Sequence, residues 1–238
     1  MSLKRSKKLL VIIKNEDSNY KTMTKNTFQE KKWAGKFGRD YTFRNPLSIR
    51  EMDKLYLRNH GISRTKLDKD FLGRLNRSIK ILEVGCNVGI QLLFLQKMGF
   101  KNLCGIEINR ETLEFSKSII NNVNLIKGSA LDIPFKDNYF DLVFTSGVLI
   151  HISPSDIKRA MEEIYRCTKK YIWGFECYYD DYIEITYRGN QNLHWKGDFA
   201  KMYLDNFKDL KLVKERKLKY LKNENIDTMF LLKKNGRK

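Results

Sequence analysis

Ile79-Lys80-Ile81-Leu82-Glu83-Val84-Gly85-Cys86-Asn87-Val88-Gly89-Ile90 decides the fold. An apolar run with β-branched residues reaches an acid, then a glycine turn, then a helical pattern. That is the strand, tight loop and helix start that open a nucleotide-binding α/β unit. Gly85 permits a turn that a Cβ would obstruct, and Gly89 allows a ligand or backbone to approach. The spacing is G-x-x-x-G, with Glu83 two positions before Gly85. It is neither the G-x-G-x-x-G dinucleotide fingerprint nor the G-x-x-x-x-G-K-[ST] phosphate loop, and no lysine follows Gly89. The loop therefore suits a ligand with little or no phosphate, carrying an amino-acid end and a ribose.

A second acid strengthens this reading. Gln91 to Met98 is helical and Gly99 closes the helix. Asn102 to Ile108 then reads as the next strand, ending Gly105-Ile106-Glu107-Ile108, with Glu107 24 positions after Glu83. An acid at the tip of the second strand can accept hydrogen bonds from both ribose hydroxyls. NAD-binding folds use the same device, so the glycine pattern separates the two. S-adenosylmethionine is one ligand of the required kind. The plain alternative is that Glu83 and Glu107 are solvated acids at strand ends.

The alternation then continues. A helix is expected over 110–121, a short strand over 123–127, and a fourth strand over 139–145 with Phe140-Asp141-Leu142-Val143-Phe144 at its heart. A helix is expected from Pro154 to Thr168, with Ser153 as cap and Pro154 at the first helical position. A fifth strand over 170–176, a helix around 197–206 and strands near 210–219 and 227–233 complete the pattern. It predicts an α/β fold, a Rossmann-like, mainly parallel seven-stranded sheet with an antiparallel edge strand. Ligands in such sheets bind at the carboxyl ends of the strands, where Glu83, Glu107 and the 128–132 and 145–151 loops all fall.

Ahead of this domain (79–238) lies an N-terminal arm with helices (1–78). Residues 1 to about 26 read as poorly ordered apart from Leu9–Ile13, and the opening Met-Ser-Leu reads as an expression scar. Residues 28–46 are dense in aromatics, glycine and arginine, and Pro46 is expected near a helix start. Two amphipathic helices are expected at 47–60 and 65–77, parted by Gly61 and with Ser63 capping the second. Trp33 and Tyr41 can close as a lid over a cofactor, with Arg44 pairing a carboxylate. The competing reading is that the aromatics only pin the arm to the core.

Composition bounds the function. The chain has 238 residues, 46 Lys plus Arg against 28 Asp plus Glu, and a net charge of +18. The excess is diffuse, its basic runs fall near the chain ends and there is no RNA-binding signature, so nucleic acid is not the expected partner, though the charge leaves it open. No apolar run approaches the ~20 residues of a membrane span, and the expected location is cytoplasmic. Cys86, Cys104, Cys167 and Cys177 form no ligand-like spacing with His60, His151 or His194, so no metal is expected.

Four ordered motifs carry a family resemblance. Glu-Val-Gly-Cys-Asn-Val-Gly (83–89), Gly-Ile-Glu-Ile (105–108), Gly-Ser-Ala-Leu-Asp-Ile-Pro-Phe-Lys-Asp-Asn-Tyr-Phe-Asp-Leu-Val (128–143) and Gly-Val-Leu-Ile-His-Ile (147–152) resemble class I S-adenosylmethionine-dependent methyltransferases. More narrowly, Trp-Ala-Gly-Lys-Phe-Gly-Arg-Asp-Tyr-Thr-Phe-Arg-Asn (33–45), Ile-Tyr-Arg-Cys (164–167) and Tyr-Arg-Gly (187–189) are similar to the methylases associated with pseudaminic acid biosynthesis, which sit with genes for nonulosonic sugars of bacterial surface glycans. The resemblance implies that Glu83, Gly85, Asn87 and Gly89 line the methionine and ribose side, and that Glu107 takes the ribose hydroxyls. It implies that Ile108 packs on adenine, that Ser129 and Ala130 meet the adenine edge, and that Ser146, Gly147 and Ile150 border the sulfonium. Ser129 departs from the acid common there. Thr145-Ser146-Gly147-Val148 departs from the Asn/Asp-Pro-Pro-Tyr/Phe motif, which disfavours methylation of an exocyclic base nitrogen or an amide.

Methyl transfer is an in-line displacement, so the protein aligns a nucleophile and manages its proton. His151 is the first candidate base and Glu176 the second. The competing readings are a structural histidine bonded to a backbone carbonyl and a solvated strand-end acid. The insertion 176–196 is rich in tyrosine and hydrogen-bonding groups. Tyr178, Tyr187, Arg188 and His194 there suit a sugar acid or nucleotide sugar. The expected function is methylation of a hydroxyl or amino group on such a small molecule. The alternatives are a tRNA or other small-molecule methyltransferase and a non-catalytic cofactor-binding accessory protein of glycan assembly.

Overall fold

The computed structural model describes residues 26–45 and 47–235. Leu9–Ile13, the opening Met-Ser-Leu and Pro46 lie outside the described residues. The elements are α1 (Phe28–Ala34), α2 (Lys36–Thr42), α3 (Ile49–His60), α4 (Arg64–Leu72), β1 (Lys80–Val84), α5 (Ile90–Lys97), β2 (Asn102–Glu107), α6 (Arg110–Ile119), β3 (Asn124–Lys127), β4 (Phe140–Ser146), a 3₁₀ turn (Leu149–His151), α7 (Ile157–Cys167), β5 (Thr168–Tyr178), β6 (Ile183–Glu184), β7 (Trp195–Lys196), α8 (Phe199–Asn206), β8 (Leu210–Lys219) and β9 (Ile226–Lys234).

Seven strands form one sheet in the order β3-β2-β1-β4-β5-β9-β8. Strands β1 to β5 are parallel, whereas β9 runs antiparallel between β5 and β8. This is the expected Rossmann-like sheet, mostly parallel and finished by an antiparallel hairpin. Because side chains alternate along a strand, each central strand feeds two cores. Leu82, Val84 and Val143 pack with α7 and α8 residues such as Met161, Ile164 and Phe199. Ile81, Leu142 and Phe144 pack on the other face with Leu67 and Leu72 of α4 and Leu92 and Leu95 of α5. Glu83 shares the parity of Ile81, which turns it toward the α3–α4 face.

Local signals explain most boundaries. Ser48 and Ser63 cap α3 and α4 by accepting the Glu51 and Lys66 amides, and Gly61 ends α3 in the left-handed region. Two boundaries differ from expectation. Helix α4 ends at Leu72, not near 77, because Gly73 closes it and Arg77 turns back to donate to the Leu72, Gly73 and Leu75 carbonyls. Helix α7 begins at Ile157, not Pro154. Ser153 Oγ is committed to the Asp156 carboxylate, so it does not cap the helix amides, and residues 154–156 form a lead-in turn. The 28–46 segment holds two short helices broken at Gly35.

Candidate functional site

A pocket opens at the carboxyl ends of β1, β2 and β4, roofed by α1 and α2. The loop after β1 builds part of its floor. Gly85, Asn87 and Gly89 after β1 all adopt left-handed backbone, with φ of 69°, 48° and 74°. At Gly85 an added Cβ would lie 2.7 Å from Val148 Cγ2, so the β1 and β4 loops pack together only because this residue is glycine. Gly89 works differently from expectation. The space beside it is filled by Ile120 Cδ1, 2.4 Å from where a Cβ would stand, and it starts α5 without facing the pocket.

Glu107 is an acid of the pocket wall held by two backbone amides. Its Oε2 accepts the Asn87 amide at 2.9 Å and its Oε1 the Asn109 amide at 2.8 Å. Burial pushes its carboxyl up while those amide bonds pull it down. Each oxygen keeps a lone pair for a ligand. Asn87 is also a junction, since its carbonyl accepts the Ser116 hydroxyl at 2.7 Å and its Oδ1 lies 3.0 Å from Thr42 Oγ1.

The arm is fastened across this floor. Asn109 Nδ2 donates to the Trp33 and Gly35 carbonyls at 3.1 and 2.9 Å, and Thr42 Oγ1 lies 2.9 Å from Thr112 Oγ1. Ser129 Oγ donates to Glu30 Oε1 at 2.5 Å. Trp33 lies over His151 with ring centroids 4.3 Å apart and meets Phe37 and Tyr41 edge-on.

His151 Nδ1 lies 2.7 Å from the Leu193 carbonyl. A carbonyl only accepts, so the proton sits on Nδ1 and Nε2 carries the lone pair. Burial pulls the His151 pKa down to about 3, so the ring is neutral near pH 7. Glu176 is fully buried and outside the pocket wall. It accepts the Val148 and Ile150 amides at 3.2 and 3.4 Å, and burial raises it to about 7. This acid braces the 147–151 loop from behind the pocket wall.

Of the residues expected at the cofactor, Trp33, Tyr41, Gly85, Asn87, Glu107, Ile108, Ser129, Ala130, Ser146 and Gly147 line the pocket, as does His151. Arg44 does not; its side chain is exposed, with the guanidinium 6.0 Å from the Tyr41 ring centroid. Ile150 is buried in the core that packs on α7. Glu83 lies behind the floor, its Oε2 buried without a hydrogen bond and its pKa driven well up by burial. Beside it is Arg64, which donates to Asp68 at 2.7 Å, Tyr56 at 2.8 Å and the pocket-lining Ser146 at 3.2 Å.

None of the four residues proposed for the acceptor lines the pocket. Tyr187 and His194 back His151, with ring centroids 5.5 and 5.2 Å away. Tyr178 points to the hairpin edge, under Lys217, and Arg188 is exposed. The insertion is no loose loop: β6 pairs with β7, and Leu193, His194 and Trp195 are buried.

Sequence reasoning missed Thr27, Gln29, Glu30, Gly38, Thr42, Ser153 and Asp156 in the wall. The Thr27-x-x-Glu30 capping box was a readable sign of a helix start there. The wall contains the carboxylates of Glu30, Glu107 and Asp156 and, among the described residues, no lysine or arginine. An acidic pocket in a chain of net charge +18 is a local selection for a cationic or neutral ligand.

Comparison with known proteins agrees with this geometry. Residues 82–171 match the family described as methyltransferase domain. An uncharacterized methyltransferase of Schizosaccharomyces pombe is 33% identical over 115 residues, covering 43% of this chain and 40% of that protein. A demethylmenaquinone methyltransferase of Staphylococcus aureus is 31% identical over 115 residues, covering 46% of each. The match thus spans less than half the length of either relative. Among solved structures, the Burkholderia thailandensis 1,6-didemethyltoxoflavin-N1-methyltransferase, with bound 1,6-didemethyltoxoflavin and S-adenosylhomocysteine, superposes with a TM-score of 0.58 at 12% identity, over 84% of this chain and 83% of that one. Residues 82–171 are thus similar in sequence to methyltransferase domains, and the sheet has the Rossmann-like methyltransferase fold.

Proposed function

We propose that this chain is an S-adenosylmethionine-dependent methyltransferase acting on a small molecule. The observation that carries the reading is Glu107, a carboxylate at the β2 tip held by two backbone amides in a pocket whose charged side chains, among the described residues, are all acidic. S-adenosylmethionine brings a ribose diol, an ammonium and a sulfonium, and the residues present fit it. Glu107 would hold the diol, the Gly85 backbone would border the amino-acid end, and Ser146, Gly147 and Trp33 would surround the sulfonium. When bound, the cofactor supplies an electrophilic methyl group.

This chain's part is alignment. The Nε2 lone pair of His151 can accept a hydrogen bond from the acceptor and orient its nucleophilic atom. With a pKa of about 3 the ring is a weak base. That favours the amino over the hydroxyl branch of the expected chemistry, because a neutral amine attacks through its own lone pair. We place the acceptor among sugar-type intermediates of surface glycan assembly, such as a nonulosonic acid or its precursor. Trp33 and Tyr41 give apolar faces for a sugar ring. A carboxylate on it would stay outside the pocket, toward exposed Arg188, next to Tyr187.

The test is label transfer from methyl-labelled S-adenosylmethionine to a panel of amino and hydroxy sugars, their acidic derivatives and tRNA. An amine-bearing sugar is expected to accept the methyl group. Transfer to tRNA, lost steeply with salt, would instead favour the nucleic-acid alternative. A protein that binds cofactor and methylates nothing would favour the accessory role.

A further inference from the structure

Glu30 is a pocket carboxylate that the proposed function leaves without a role. It comes from the arm, 99 positions before Ser129 in sequence. Its setting is rigid. Thr27 Oγ1 accepts the Glu30 amide at 3.1 Å and Glu30 Oε2 accepts the Thr27 amide at 2.8 Å, a reciprocal cap on α1. From the other side, Ser129 Oγ donates to Glu30 Oε1 at 2.5 Å and itself accepts the Leu131 amide at 3.0 Å. Each carboxylate oxygen has two acceptor sites, so both keep capacity for a ligand donor.

Strand order sets which part of a ligand arrives there. The sheet runs β3-β2-β1-β4. A ribose held at the β2 tip by Glu107, with its amino-acid end over β1 and β4, must carry its base toward β3. The residues lining the pocket on that side are Ile108, Gly128, Ser129 and Ala130, with Glu30 above them. The Ser129 proton is already given to Glu30. A donor on the rim of the base therefore meets a carboxylate that belongs to the arm.

We propose that Glu30 reads the exocyclic amine of the cofactor's purine, so that the N-terminal arm supplies the group that recognises the base. This rests on the cofactor reading above. A 6-oxo purine would set its oxygen against the carboxylate and be rejected, as sites built around one hydrogen-bonding partner reject its inverse.

The experiment is calorimetric titration of the full chain with S-adenosylhomocysteine and with S-inosylhomocysteine, in which oxygen replaces the amine. The wild type is expected to prefer the adenine compound by about tenfold or more. Glu30→Ala should reduce that preference to about threefold or less. Glu30→Gln, which keeps the cap on α1, should shift it toward the inosine compound, because its amide can donate to the 6-oxo group. Adding Ser129→Asp to Glu30→Ala should restore the adenine preference, since the two oxygens are 2.5 Å apart. Thermal melts confirm that each variant is folded. Wild-type discrimination retained in both Glu30 variants overturns the proposal while leaving the cofactor reading intact. A wild type that binds neither compound overturns the cofactor reading, and the proposal with it.

Discussion

The imidazole Nδ1 of His151 lies 2.7 Å from the carbonyl oxygen of Leu193, joining the loop after β4 to the hairpin that follows β5. That one bond fixes the tautomer, aims the Nε2 lone pair and ties the insertion to the pocket. With Trp33 over the ring and Tyr187 and His194 behind it, the imidazole is held neutral.

Replacing this residue separates its roles. His151→Ala should leave S-adenosylhomocysteine affinity within about threefold, because no expected cofactor contact is lost, and lower kcat by about tenfold or more. In the wild type the rate should show no acid limb near pH 6.5, since the folded pKa is about 3. Steady-state kinetics from pH 5 to 8 check both. An acid limb at 6.5 would mean that the ring is not held as described, and unchanged turnover would return His151 to a purely structural role.

Glu176 predicts a pH dependence of stability. Its folded pKa is about 7 against an ordinary 4.5. Between those values the folded state keeps a proton that the unfolded chain has released, so stability falls as pH rises through this window. Glu176→Gln removes that loss. Measured by urea unfolding, the variant's stability relative to the wild type should rise by on the order of 3 kcal/mol between pH 4.5 and pH 8, above a constant cost where its Nε2 replaces one amide-accepting oxygen. A difference that does not change with pH would contradict the assignment.

Arg64 is fully buried, between Asp68, Tyr56 and Ser146. Burial raises Asp68 to about 6 even against this guanidinium. Arg64→Met should therefore destabilise the fold by about 3–5 kcal/mol, since it strands a buried carboxylate. Denaturant midpoints check this. A loss under about 1 kcal/mol would show that water reaches the cluster.

The sheet was legible because each strand carries its own signal. The Ile79–Val84 run, the glycine turn and Glu107 at a strand tip are local patterns, and the loops they imply converge by topology alone. The pocket's roof was not legible in the same way. Glu30 reaches Ser129 across 99 positions, and no local pattern marks such a pairing. Arg44 looked like a carboxylate partner because of its neighbours in sequence, but α2 ends at Thr42 and leaves it in solvent. Glu176 looked catalytic because it ends a strand. Its partners are backbone amides of the neighbouring loop, and a sequence does not display where amides point. Tyr187 and His194 were read as acceptor contacts, whereas the insertion packs both rings against His151, with His194 buried and Tyr187 half-buried.

The most direct measurement is calorimetric titration of the wild type and Glu107→Ala with S-adenosylmethionine and S-adenosylhomocysteine, with NAD as control. The account predicts micromolar binding of both sulfur compounds and none of NAD. It predicts a loss of about 1–3 kcal/mol in Glu107→Ala, the cost of removing a charged acceptor. Binding of NAD, or an affinity for the sulfur compounds that the substitution leaves unchanged, would contradict it.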